Sequence, residues 1–117
     1  MNKVNGLCYL ASPYSKFPGG REDAFNTICK KAAQLMEQGH LIFCPIAHSH
    51  PIEDIGMTKI HDGDFWLKQD FAVLAVCKEL WVYKMPSWES SYGVAKEIEF
   101  ANKNNITVKF IDYDGRT

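Results

Sequence analysis

The chain has 117 residues, 46% of them apolar, with 13 basic and 14 acidic side chains and a formal net charge of −1. That length holds one domain, residues 1–117, with a real core and no room for a second. The balanced charge offers no footprint for polymeric nucleic acid or an anionic membrane, and no apolar run approaches the ~20 residues needed to cross a bilayer. Residues 1–6 lack the pattern of a signal peptide, so a cytoplasmic protein is expected. Cys8, Cys29, Cys44 and Cys77 are widely spaced, each within an apolar segment and without a C-x-x-C pair. This fits reduced core cysteines better than disulfides or a zinc ribbon.

Residues 7–11, Leu-Cys-Tyr-Leu-Ala, form a short apolar run ended by Ser12-Pro13 and read as a buried central strand. Tyr9, two residues before its end, is either a core tyrosine with a satisfied hydroxyl or a site group. The loop 12–23 is longer than the ~2–6 residues of most βα connections. Its Ser12, Ser15, Gly19, Gly20 and Arg21 supply the hydroxyls, backbone N–H groups and guanidinium fork that a phosphate needs. It is not a Walker loop, and the competing reading is a flexible Gly-Gly turn beside a solvated arginine. Residues 22–38 read as a helix with Phe25, Ile28, Ala32, Leu35 and Met36 on its apolar face and Gly39 as its stop. Residues 41–44 read as a second buried strand, ended by Pro45.

Residues 45–63 show no period and are expected to form a long loop, with a short helical turn near 52–55. His48, His50 and His61, with Cys44, raise the question of a metal. Their spacing matches no standard structural site, so no metal and no cofactor are expected. His48 and His50 are expected to line a pocket instead, stacking on a ligand or hydrogen-bonding to it. Residues 65–76 read as a helix with Phe65, Lys68, Ala72, Ala75 and Val76 on one side and Leu67, Phe71 and Leu74 beside them. Asp70 interrupts this apolar stretch, either as an acid with a perturbed pKa or on an exposed edge with Lys68 and Gln69. Glu53 and Asp64 carry weaker claims. Residues 79–83 are a third strand, 90–104 the last helix, 107–111 the last strand and 112–117 a polar tail.

In the last helix Val94, Ile98 and Ala101 share a face, and Ser91 with Gly93 marks a capped start. Glu97 lies one turn inside, where it either complements the helix dipole or stands at a ligand site. Alternation of strand and helix predicts an α/β fold: a flavodoxin- or Rossmann-like three-layer sandwich with a four- or five-stranded parallel sheet in the order 2-1-3-4. At its switch point the loops after Ala11 and Cys44 and the turn before Glu97 would converge.

Taken in order, Tyr9-Leu10-Ala11-Ser12-Pro13-Tyr14, Gly19-Gly20-Arg21-Glu22-Asp23, Asp70 and Ser91-x-Gly93-Val94-x-x-Glu97-x-x-x-Ala101 resemble the nucleoside 2-deoxyribosyltransferase superfamily over nearly the whole chain. The closer resemblance is to its 2'-deoxynucleoside 5'-phosphate N-hydrolase branch. The chain also looks like small bacterial and phage proteins with a Tyr-Leu-Ala-Ser-Pro-Tyr start and a His-Ser-His loop. The resemblance implies Glu97 as the nucleophile at the anomeric carbon, and Tyr9 as its hydrogen-bond donor. It implies Asp70 as the acid that helps the base depart or holds the nucleophile's neighbourhood.

Transferases of this type usually carry an Asp six residues before the nucleophile. Here Ser91 stands there, as in the nucleotide hydrolases, where a serine meets the 5'-phosphate. The first loop is a few residues longer than theirs, with Pro13 and Pro18 inserted, which leaves open which serine meets the phosphate. The expectation is a nucleotide N-glycosidase acting on a (deoxy)nucleoside 5'-monophosphate. The alternatives are a deoxyribosyltransferase and a non-catalytic nucleotide-binding module. A homodimer is also implied, supported by more aromatics (Trp66, Trp81, Trp88, Phe100) than a small sheet can bury.

Overall fold

The computed structural model describes residues 1–115, so Arg116 and Thr117 of the expected tail lie outside it. Its elements are β1 (Cys8–Ala11), α1 (Arg21–Glu37), β2 (Ile42–Phe43), α2 (Pro45–Gly56), α3 (Gly63–Leu74), β3 (Glu79–Tyr83), α4 (Tyr92–Lys103) and β4 (Thr107–Ile111), with a 3-10 turn at Trp88–Ser90. The four strands are all parallel, in the order β2-β1-β3-β4, as expected from the sequence.

Side chains alternate across the sheet and build two apolar layers. Cys8 and Leu10 of β1, with Trp81 and Tyr83 of β3, pack under α1 through Ala24, Ile28, Ala32 and Leu35. Tyr9 and Ala11, with Leu80 and Val82, face the opposite layer, where Leu74, Val94 and Ala101 of α3 and α4 cover them. This alternation aims Tyr9 at α4. Helices α3 and α4 meet through stacked Phe71 and Phe100, their ring centres 4.5 Å apart.

The end of α1 is a Schellman cap, with His40 N–H donating to the Leu35 carbonyl and Gly39 N–H to that of Met36. Gly39 holds φ +96°, the left-handed conformation that made it legible as a stop.

Four expectations are corrected. Residues 45–56 are helical rather than loop: Pro45 takes the first helical position, where its missing N–H costs nothing, and the first turn buries Pro45 and Ile46. Beyond that turn α2 buries no residue, and Pro51 sits inside it, so the segment carries little apolar period to read. The buried stripe of α3 is Leu67, Phe71 and Leu74 rather than the side proposed, and Val76 is 74% exposed. Strand β2 has only two residues, lies at the sheet edge, and leaves Leu41 exposed. Trp81, counted among the surplus aromatics, is wholly buried.

Candidate active site

At the carboxyl ends of the strands, on the switch point between β1 and β3, lies a cleft of about 280 Å³. Open parallel sheets bind ligands here, because the loops on either side of the switch point diverge. The volume is at the small end of the range for ligand pockets. Ser12, Tyr14, Ser15 and Lys16 reach it from the loop after β1, and Arg21 from the start of α1. Ser49, His50 and Glu53 come from α2, Trp66, Leu67 and Asp70 from α3, and Ser91, Gly93 and Glu97 from the start of α4.

Glu97 is 5% exposed, a buried carboxyl in a layer otherwise built of apolar residues. The Tyr9 hydroxyl donates to Glu97 Oε2. Burial pushes the Glu97 pKa up to about 8; the Tyr9 hydrogen bond opposes this and the charge of Asp70 adds to it. Asp70 is raised to about 6 by burial. It falls three residues after Leu67, so it shares the buried stripe of α3 and faces the cleft rather than a polar edge. Tyr9, lifted well above its ordinary value by burial and then by the charge of Glu97, keeps its proton and remains a donor. The arrangement is two coupled carboxyls and a fixed phenol on the floor of a cleft, and pairs of this kind cluster at functional sites.

Around this floor stand groups suited to a polar or anionic substituent. Ser91 caps α4, its hydroxyl accepting from Val94 N–H at 3.2 Å, and the first turn of the helix leaves further N–H groups open toward Gly93. Ser12 Oγ is buried without a hydrogen-bond partner among the described residues, which is costly unless a ligand or water completes it. Lys16 Nζ donates to the Ser90 carbonyl at 3.2 Å and ties the β1 loop to the segment before α4.

The opposite wall is organised by Glu53, whose side chain is 10% exposed. It accepts from Trp66 Nε1 at 2.9 Å and from His61 N–H at 3.4 Å, and lies 3.5 Å from the Arg21 guanidinium.

Ser12, Ser15, Arg21, His50, Asp70, Ser91, Gly93 and Glu97 therefore come together, with Tyr9 beneath them. Gly19, Gly20 and His48 are not among the lining residues. Gly20 makes the turn into α1 at φ +89°, Gly19 packs so closely that a Cβ would lie 2.1 Å from Asp23 Oδ2, and His48 is exposed beside Phe43. Lys16 and Ser49 carry no signal in the sequence, Tyr14 enters only within the resemblance motif and Trp66 only as a surplus aromatic, and the signal at Glu53 is weak. Read as a helix, residues 45–56 would have signalled that Ile46, Ser49, His50 and Glu53 share one face. Among the described residues no group of three His, Cys, Asp or Glu side chains could hold a metal ion.

The fold is shared with a 2-deoxyribosyltransferase of known structure. The structure of a 2-deoxyribosyltransferase from the psychrotolerant bacterium Bacillus psychrosaccharolyticus superposes with a TM-score of 0.63, covering 95% of this chain and 75% of that one at 17% identity. Residues 6–112 match the family described as Domain of unknown function (DUF1937), and the chain belongs to that family. A comparison with curated proteins finds no match.

Proposed function

We propose that this protein cleaves the N-glycosidic bond of a nucleoside or nucleotide by double displacement, with Glu97 as the nucleophile. One observation carries the reading: a buried carboxyl at the switch-point cleft that receives the Tyr9 hydroxyl and is coupled to Asp70. In the first step Glu97 forms an ester with the anomeric carbon while the bond to the base breaks and its electron pair leaves with the base. In the second step an acceptor attacks the same carbon and releases Glu97. The transition state has oxocarbenium character, and a desolvated carboxylate beneath it is stabilised most when that positive charge develops. Near neutrality the pair shares one proton, held mainly by Glu97, and the reactive form is the one in which that proton has moved to Asp70 and left Glu97 ionised. Neither step calls for a cofactor.

The acceptor separates two readings. The structural neighbour is described as a 2-deoxyribosyltransferase, which favours a second base as acceptor and a deoxyribosyl group as cargo. Hydrolysis of a (deoxy)nucleoside 5'-monophosphate is favoured instead by Ser91 at the cap of α4, with Ser12, Ser15 and Lys16 around the same cleft. A hydroxyl in place of a carboxylate there removes repulsion toward a dianionic phosphate.

The test is a panel of ribo- and deoxyribonucleosides and their 5'-monophosphates, with and without an added free base, presented to the parent and to Glu97→Gln. Base released by the parent and not by the variant is the expected result. Dependence on the added base identifies transfer, and release without it identifies hydrolysis. Tight binding without turnover, unaffected by Glu97→Gln, would make the protein a nucleotide-binding module and overturn the proposal.

A homodimer belongs to the same reading. Ile52, Ile55 and Ile60 are exposed along and after α2, next to the cleft wall.

A further inference from the structure

We infer that Tyr14, His50 and Glu22 form a proton relay for the base at the α2 end of the cleft, with Tyr14 as the group that touches it. The inference rests on the reading of Glu97 as nucleophile. Three separate segments meet in the relay. The Tyr14 hydroxyl, from the loop after β1, is hydrogen-bonded to His50 Nδ1 of α2. The other ring nitrogen, Nε2, lies 2.9 Å from Glu22 Oε2 in the first turn of α1. Phe25 stacks on the imidazole at 4.2 Å and 19°, fixing its plane, and the Arg21 guanidinium lies 5.3 Å from the centre of the Tyr14 ring.

Tyr14 and His50 both line the cleft. The His50 side chain is 11% exposed and that of Glu22 is 72% exposed, so the chain of bonds runs from the cleft to solvent. As a surface ion pair it would stabilise the fold very little, and a carboxylate–imidazole–hydroxyl sequence is the arrangement that moves protons. The charged groups around the ring are Glu22 and Arg21 from α1, Glu53 and Asp54 from α2, and Lys59 from the segment after it.

Position assigns the relay its task. Glu97, Ser91 and Gly93 define the α4 end of the cleft, and α2 defines the other. With the sugar over Glu97 and its 5' substituent at the start of α4, the base extends toward α2. Neutral His50 keeps its proton on Nε2, donates to Glu22 and accepts from Tyr14 at Nδ1. Once protonated, its Nδ1–H donates to the Tyr14 oxygen and frees the phenol proton to face the cleft.

As the glycosidic bond breaks, its electron pair stays on the base nitrogen and the Tyr14 proton moves to the base. The Nδ1 proton then moves to Tyr14, leaving His50 neutral. In the second step the acceptor, water or another base, gives its proton to Tyr14 as it attacks the anomeric carbon, and Tyr14 passes one back to Nδ1. The cycle closes with no further reactant.

The experiment compares parent, Tyr14→Phe, His50→Gln and Glu97→Gln on ordinary nucleosides and 5'-monophosphates and on their 7-methylguanine counterparts. A 7-methylguanine base is cationic when bound to the sugar and departs neutral without taking a proton. On ordinary bases Tyr14→Phe and His50→Gln should lower kcat by about 10²–10⁴-fold, and on 7-methylguanine substrates by less than about tenfold. Equal losses on both sets would overturn the relay while leaving Glu97 in place. A parent inert toward both sets would overturn the reading of the site itself, and the relay with it.

The parent alone supplies a second readout. The ring nitrogens of neutral His50, observed by NMR, should show the proton on Nε2. A proton on Nδ1 would contradict the relay.

Discussion

On the proposed function, Glu97 is the residue at which stability and activity pull in opposite directions. An unfolded glutamate ionises near pH ~4.3, whereas the folded chain holds this proton to about pH 8. Between those values the native state binds more protons, so its stability falls as pH rises through that window. Glu97→Gln, which keeps an acceptor for Tyr9, should flatten that slope in denaturant titrations and stabilise the fold at pH 8 by roughly 2–4 kcal/mol. An unchanged slope would contradict the burial argument.

On the proposed function, the same pair sets the activity profile. With values of about 6 and about 8, Asp70 and Glu97 hold one proton between them near neutrality. The profile of kcat/KM should be bell-shaped, falling below the lower value as both carboxyls hold a proton and above the higher as the pair holds none. Tyr9→Phe removes the bond that favours ionised Glu97, and should move the profile to higher pH and lower kcat/KM by about 10- to 100-fold. At this scale the sequence was informative about identity more than environment. Glu97, Asp70 and Tyr9 could be picked out by their positions and the resemblance, but their coupling depends on which layer each strand residue faces.

Among elements, α4 and α2 mark the limits of that reading. The cap and the face of α4 were legible, because Ser91 and Val94, Ile98, Ala101 form a local pattern that the structure uses directly. Ser91→Ala removes the side-chain cap and should cost about 1 kcal/mol of stability. If the hydrolase reading holds, it should also raise KM for 5'-monophosphates more than for nucleosides; an equal change in both would separate the cap from phosphate recognition. Helix α2 was not legible. Pro51 removes a ladder hydrogen bond and most of the helix buries nothing, so its conformation comes from Pro45 at the first position and from the docking of its first turn. Missing that helix also hid the wall formed by Ser49, His50 and Glu53, which needs a helical period to be seen as one face.

For the whole molecule, four parallel strands in the order β2-β1-β3-β4 bring three loop regions to one cleft, and that order followed from the spacing of strands and helices. Assembly is less directly written. The dimer reading loses Trp81, which is buried, and is carried by exposed Ile52, Ile55 and Ile60. Sedimentation at micromolar concentration should show a dimer that Ile55→Asp weakens, and a parent that sediments as a monomer would remove it. The central claim is the glycosyl ester on Glu97. The direct measurement is the mass of the protein during turnover of a 2'-fluorinated arabinonucleoside or its 5'-monophosphate, in which the fluorine slows release of the sugar from the enzyme. A mass increase of one sugar or sugar phosphate is expected, located on the peptide carrying Glu97 and absent in Glu97→Gln. Base release with no adduct, or an adduct that persists in Glu97→Gln, would contradict it.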